Sequence, residues 1–302
     1  MASRDSIKDT WVVIMMAGMG TRMKSKTPKV LHRIMDQPMG RWVLDACDSA
    51  GLKNRVVVVG HSADDVMRAL DSEKFALQKP QKGTGHAVMV GIEQVPKSAK
   101  RVLILSGDVP CIGYDTIKNL IAYHIRYKAN ATVLSFIPPE VSAYGRIIRD
   151  DNGDFVAIVE KADLDKNQRE IEECNSGIYV FDSNFLRESL GKLKPNKKSG
   201  EYHLPDTLDL IMKSGGKVEV GLINEWTEVT GINNRLELSE AADYLRWRIA
   251  ESHMLAGVTI IDPASTWIGP KVKLAPDVTI HPGCILMGET KVGEGSVIGP
   301  YT

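Results

Sequence analysis

"WVVIMMAGMGTRMKSKTPKVLH", Trp11 to His32, begins apolar and ends basic. Its first five residues are continuously apolar, which reads as a strand covered on both faces. Gly18, Gly20, Arg22, Lys24, Lys26 and Lys29 then crowd into a stretch with no apolar periodicity. A flexible cationic loop at the exit of a first strand suggests a bound anion, although a glycine-rich turn carrying solvated lysines has the same composition.

Outward from this loop, apolar runs alternate with helix-like segments. A helical stretch around Trp42–Ala50 precedes "RVVVVG" (Arg55–Gly60), and Ala63–Leu70 precedes the helical "GHAVMVGIEQV". "RVLILSGD" (Arg101–Asp108), a helix over Asp115–Tyr127 and "ATVLSF" (Ala131–Phe136) follow. Repeated strand-then-helix order implies a parallel, doubly wound sheet of Rossmann-like α/β type. From Tyr144 the style changes: "YGRIIRD", "DFVAIVE" and "SGIYVF" are closely set short strands, read as an antiparallel elaboration that makes the sheet mixed but mainly parallel. A charged helix runs over Leu236–Met254 with no Gly or Pro inside.

The last segment is periodic. Ile268, Leu274, Ile280, Leu286, Val292 and Ile298 recur every sixth residue. Thr266, Val272, Val278, Cys284, Thr290 and Ser296 each stand two residues earlier. Such a register indicates a short left-handed parallel β-helix. The pattern stops in mid-run at Thr302, which suggests a truncated chain or a naturally abbreviated tail. The expected organisation is an α/β domain over 1–234, a linking helix over 235–256 and the start of the β-helix over 257–302.

Bulk properties narrow the function. The 302 residues include 38 Lys+Arg and 38 Asp+Glu, a formal net charge of zero, so any anion site must be local and general nucleic-acid binding is not expected. The four cysteines, Cys47, Cys111, Cys174 and Cys284, have no metal or disulfide spacing and fit a reducing compartment. Neither a signal-peptide stretch nor a membrane-spanning run is present, and a cytoplasmic protein is expected.

Two familiar phosphate loops are excluded. The Walker spacing Gly-x4-Gly-Lys-Ser/Thr does not occur, and Met23 stands where a dinucleotide fingerprint needs its third glycine. A third type of loop remains, in which Gly18 and Gly20 let backbone N–H groups approach a polyphosphate and Arg22 and Lys29 add charge. "QKGTGHA" (Gln81–Ala87) is a second glycine-rich turn opening a helix, with Gln78 nearby, suited to the edge of a nucleobase. "SGDVP" (Ser106–Pro110) puts Asp108 at the carboxyl end of a central strand, where open α/β sheets bind ligands. That carboxylate suits a magnesium ion holding phosphates, or else a turn or helix cap.

Taken in order, "AGMGTRMKSKTPKVLH", "GTGHA", "GDVP", "YGRI", "IVEKADL", "NSGIYVF" and "TGINNRLELS" resemble the uridylyltransferase half of a known family. This is the bacterial bifunctional N-acetylglucosamine-1-phosphate uridylyltransferase / glucosamine-1-phosphate acetyltransferase family. The likeness runs from Trp11 to Pro263, and the six-residue repeat continues it. It implies that UTP and N-acetylglucosamine 1-phosphate are the substrates and Mg2+ the cofactor. The backbone of Met15, Met16, Ala17 and Gly18 would meet the nucleotide, with Arg22 and Lys29 on its phosphates. Gln78, Gly83 and Thr84 would read uracil, beside Ser106 and Gly107. Asp108 and Asn233 would hold the metal, and Gly145, Glu160 and Asn175 the sugar and ribose hydroxyls. Arg22, Lys29 and Asp108 would be the catalytic groups. The resemblance also implies a homotrimer through the β-helix, and places the acetyltransferase site in later coils than this sequence contains.

Departures from the family pattern sit in two places. Met16 and Met19 replace the usual Ala and a frequent Lys, and in "GEYHLPD" (Gly200–Asp206) His203 and Pro205 replace Tyr and Thr beside the sugar. The same chemistry on another sugar 1-phosphate is therefore the nearest alternative. A non-catalytic regulatory subunit of the same architecture is a second, opposed by the presence of all four of Arg22, Lys29, Asp108 and Asn233.

Overall fold

The computed structural model describes residues 7–70, 74–141 and 144–302. They divide into two units, one comprising the described residues up to Leu31 with Met39–Gly231, the other His32–Pro38 with Ile232–Thr302.

In the first unit, β1 (Thr10–Met15) buries Val12, Val13 and Ile14 completely. Successive side chains of a strand point to opposite faces, so Val12 and Ile14 enter one hydrophobic core and Val13 the other. That double burial explains the uninterrupted apolar run. The strand pairs in parallel with β4 (Arg55–Val59) on one side and β6 (Arg101–Ser106) on the other. Between them in sequence lies the hairpin of β2 (Arg33–Ile34) and β3 (Gln37–Pro38), which groups with the second unit. No local signal marks those seven residues as belonging with the chain's far end.

The main sheet has the order β11-β7-β10-β6-β1-β4-β5, adding β5 (Phe75–Leu77), β7 (Ala131–Phe136), β10 (Cys174–Asp182) and β11 (Val218–Ile223). One face is covered by α1 (Met39–Ala50), α2 (Ala63–Leu70) and α4 (Tyr114–Arg126); the other by α3 (Thr84–Ile92), α5 (Ser183–Lys192) and α6 (Asp206–Lys213). This is an α/β sheet, mixed and mostly parallel. Its antiparallel member departs from the sequence reading. "SGIYVF" is not peripheral: β10 is wedged between β6 and β7, antiparallel to both, with Ile178, Val180 and Phe181 fully buried. Burial on both faces makes an antiparallel strand as continuously apolar as a parallel one, so composition could not separate the two. Only β8 (Arg146–Arg149) and β9 (Phe155–Val159) form the antiparallel extension.

In the second unit, α7 (Arg235–Leu255) begins at an Asn234 N-cap. Asn234 Oδ1 accepts from the N–H groups of Leu236 and Glu237 at 2.9 and 3.0 Å. The Glu237 carboxylate turns back to accept from the Asn233 N–H at 2.6 Å. Seven two-residue strands follow: β12 (Thr259–Ile260), β13 (Trp267–Ile268), β14 (Lys273–Leu274), β15 (Thr279–Ile280), β16 (Ile285–Leu286), β17 (Lys291–Val292) and β18 (Val297–Ile298). They pair in parallel, Trp267 with Ile285, Lys273 with Lys291 and Thr279 with Val297, each three six-residue repeats apart. Ile268, Val272, Val278, Ile280, Cys284 and Leu286 form one buried cluster, so the expected periodic residues are the inward ones.

Candidate active site

Strand order reverses at β1: the chain runs from β1 outward to β4 and β5, then returns to β6 on the opposite side. In open α/β sheets, ligands bind at such a switch point, outside the carboxyl ends of the strands. The two loops leaving β1 and β6 meet there. Gly107 donates its N–H to Met15 O at 2.9 Å, and Met16 donates to Val58 O at 2.8 Å. Met16 and Ala17 are buried, with Met16 packed so tightly on Gly107 that any side chain at 107 would strike it. The methionine at 16 is thus a packing residue.

Gly18 and Gly20 differ in purpose. A Cβ at Gly18 would meet nothing within 4 Å, so packing does not require the glycine and the exposed backbone is open to approach. Gly20 has φ +62°, a left-handed conformation that favours glycine, and the stem of Lys29 lies against it. Arg22 is exposed, in a 3-10 turn over Thr21–Met23. Lys29 is largely buried along its stem, and its Nζ sits 2.5 Å from Asp108 Oδ2, the side chains being 12% and 23% exposed. This ion pair joins the two loops that sequence reasoning singled out separately, across a separation of 79 residues.

Two residues whose positions sequence reasoning did not anticipate stand around the Asp108 loop. A Cβ on Gly231 would lie 3.6 Å from Asp108 Oδ1, so the bare backbone keeps that flank open. Glu228 fixes the approach by accepting the Gly113 N–H at 2.8 Å, tying the segment before Gly231 to the loop after Asp108. Glu228 lies in no motif with a local signature, and Gly231, although inside "TGINNRLELS", is not marked there as a neighbour of Asp108.

Beside β1, Ala17 O accepts from Gln81 Nε2 and from the His61 N–H. Gln78 is 4% exposed, and its amide nitrogen donates to Gly83 O at 2.9 Å and lies 3.2 Å from His86 Nδ1. Gln78 therefore holds the Gly83–Thr84 turn, a positioning task the sequence did not reveal. Gly83 has φ +90°, and the turn is clamped by the 201–204 segment: Gly85 N donates to Tyr202 O and Tyr202 N to Lys82 O, both at 2.8 Å. Thr84 Oγ1 accepts from the Leu204 N–H at 3.1 Å.

The remaining first-unit residues gather nearby in the fold of β8–β10. Asn175 N donates to Gly145 O at 3.0 Å, and its side chain bonds the buried Tyr179 hydroxyl. The Glu160 carboxylate faces Gly145, at 3.4 Å from where a Cβ would stand. Burial pushes its pKa above the ordinary carboxylate value; His203 opposes the rise, while Asp206 and Asp163 add to it. Burial likewise raises Asp206, again opposed by His203. His203 thus lies in the field of two carboxylates, with Nε2 3.3 Å from Ser199 Oγ. Ser199 also serves its own turn by accepting from the Glu201 N–H at 3.2 Å. Asn233 belongs to the second unit, where Glu237 holds its backbone.

Among the described residues, no group of three or more His, Cys, Asp and Glu side chains is gathered as a metal cage, and no helix is long and apolar enough to cross a membrane. All four cysteines are buried thiols, and burial pushes Cys47 up to about 12. Asp108 nonetheless fits a magnesium ion. It already holds one cation, the Lys29 ammonium, and Mg2+ commonly takes only one or two carboxylates beside substrate phosphates and water.

The chain is similar to proteins named Bifunctional protein GlmU. It is 46% identical to that of Caldanaerobacter subterraneus subsp. tengcongensis and 42% identical to that of Thermoanaerobacter pseudethanolicus, each over 95% of this chain. The relative from Alkaliphilus metalliredigens is 44% identical over the same share. In each case the chain spans 63% of the relative's length. A family model described as Nucleotidyl transferase matches residues 11–242, which takes in β1, both glycine loops, Asp108 and the start of α7. The chain belongs to the nucleotidyl transferase family.

Proposed function

We propose that this chain is a uridylyltransferase that makes UDP-N-acetylglucosamine and pyrophosphate from UTP and N-acetylglucosamine 1-phosphate. The observation that carries the reading is the Lys29–Asp108 pair at the β1/β6 switch point, flanked by the Gly18–Gly20 and Gly83–Gly85 turns. The likeness to Bifunctional protein GlmU over 95% of the chain supports it.

Two anions must meet, so repulsion is the first obstacle. The attacking sugar phosphate is already ionised at neutral pH and needs no general base. Catalysis then rests on alignment and on stabilising charge as it moves toward the leaving pyrophosphate. The exposed backbone at Gly18 admits the phosphates; Arg22 and Lys29 supply positive charge to them. The Gly83–Thr84 turn, held by Gln78 and Tyr202, presents a fixed edge to the base. Gly145, Glu160 and Asn175 offer acceptors and donors to sugar and ribose hydroxyls. Asp108 would hold Mg2+, which when bound supplies charge neutralisation and orientation for in-line attack on the α-phosphate.

We read the tail as the first coils of a left-handed parallel β-helix, supported by the three-repeat register and the inward periodic residues. A homotrimer through that tail and a place in the cytoplasm belong to the same proposal. A second reading, another sugar 1-phosphate, is favoured by one observation: His203 stands in the field of Glu160 and Asp206, on the proposed sugar side. Crystals grown with UDP-N-acetylglucosamine test the site. Density for the uridine between Gly18 and Gly83 is expected; product density elsewhere, with that cleft empty, would contradict the proposal.

A further inference from the structure

A divalent cation on Asp108 would be repelled by the Lys29 ammonium. The ammonium sits 2.5 Å from Oδ2, and with the side chains 12% and 23% exposed the repulsion between two cations on one carboxylate is weakly screened by solvent. Lys29 is also the residue whose charge the proposed reaction needs on the nucleotide. Its stem is fixed: Cβ, Cγ and Cδ lie against Gly20, whose left-handed backbone makes room for them. With the stem fixed, rotation about the last side-chain bonds would carry Nζ from one anion to another without moving the loop.

We infer that Lys29 is the resident counter-ion of Asp108, and that cation binding there works by exchange, the metal taking the carboxylate as the ammonium transfers to the nucleotide phosphates. The inference rests on the proposed site and adds an order to it. Alone, either ligand is handicapped. A cation must displace Lys29 or bind against its charge, and a nucleotide must draw Lys29 away from a partly buried carboxylate. Together, each relieves the other's penalty. The pair therefore couples two ligands through one side chain, and by linkage the coupling is reciprocal. Coupling of this kind typically amounts to about 5–150-fold in affinity.

The test is direct Mn2+ binding, without nucleotide, by electron paramagnetic resonance of the unbound ion, on wild type, Lys29→Met and Asp108→Asn. Methionine keeps the packed stem and removes the charge. Lys29→Met should bind Mn2+ on the order of tenfold more tightly than wild type, and Asp108→Asn should lose the site. In addition, UTP should enhance Mn2+ affinity less in Lys29→Met than in wild type. Unchanged or weaker Mn2+ binding by Lys29→Met, with Asp108→Asn still defective, overturns the exchange and leaves the site intact. Wild-type Mn2+ affinity in Asp108→Asn overturns the site itself. Circular dichroism checks folding, and Lys29→Gln replaces Lys29→Met should the latter not fold.

Discussion

Gly83→Ala should damage nucleotide binding and stability together. Gly83 holds φ +90° and ψ 179°, a region essentially restricted to glycine, where another residue costs about 1–3 kcal/mol. The added Cβ would also stand 2.6 Å from Tyr202 O, 2.9 Å from Glu201 Cβ and 3.1 Å from Tyr202 N. Backbone atoms on two sides cannot yield cheaply. The clamp must open, losing the Gly85-to-Tyr202 and Tyr202-to-Lys82 bonds, each worth about 1 kcal/mol net. The sum is about 3–5 kcal/mol. At roughly 2–4 °C per kcal/mol for a unit of this size, the melting temperature should fall by at least about 6 °C. The proposed base-reading turn moves with the clamp, so KM for UTP should rise on the order of tenfold or more. Gly191→Ala is the internal control: it lies in α5 with nothing within 4 Å of its Cβ, and should be stabilising by about 0.4–1 kcal/mol with KM unchanged. A Gly83→Ala protein with wild-type melting and wild-type KM for UTP would refute the reasoning about the clamp.

Two further outcomes are expected. Asp108→Ala should lower turnover with UTP by a factor on the order of 10²–10³ at limiting magnesium, measured by steady-state pyrophosphate release; near-normal turnover would remove Asp108 from the reaction. Glu160→Gln should become more stable than wild type as pH rises. Burial raises the folded pKa of Glu160 above its ordinary 4.5, so the folded state binds the proton more tightly and the wild type loses that stabilisation as pH climbs through the folded value. Melting curves from about pH 4 to about pH 7 should show the two proteins level at the acid end and the variant ahead at the neutral end. Wild type ahead at neutral pH would mean that the field of His203 outweighs burial.

The parts of the molecule legible in the sequence are those with a local cause. "WVVIM" announced a strand buried on both faces because every position is apolar, and Gly18 and Gly20 marked a loop because their spacing breaks every periodic pattern. The six-residue register of the tail was visible because inward positions in two-residue strands admit only small or apolar side chains. What escaped has non-local causes. β10 reads like its parallel neighbours because direction leaves no trace in composition. The clamp of Tyr202 on Gly85, the closeness of Gly231 to Asp108 and the bond from the Gly113 N–H to Glu228 join segments more than 100 residues apart. Lys29 and Asp108 were each legible as charged groups at strand exits, but their pairing was not, since it depends on β1 and β6 being neighbours. Gln78 was legible as an amide beside a glycine-rich turn, but its bond to Gly83 O was not, since that depends on how the turn folds back over it.

The most direct measurement is pyrophosphate release from UTP, with Mg2+ and N-acetylglucosamine 1-phosphate, beside glucose 1-phosphate and glucosamine 1-phosphate. Release should be fastest with N-acetylglucosamine 1-phosphate and should generate UDP-N-acetylglucosamine in equal amount. No release with any of the three sugars, from protein that is folded and binds UTP, would contradict the claim that this site transfers a uridylyl group.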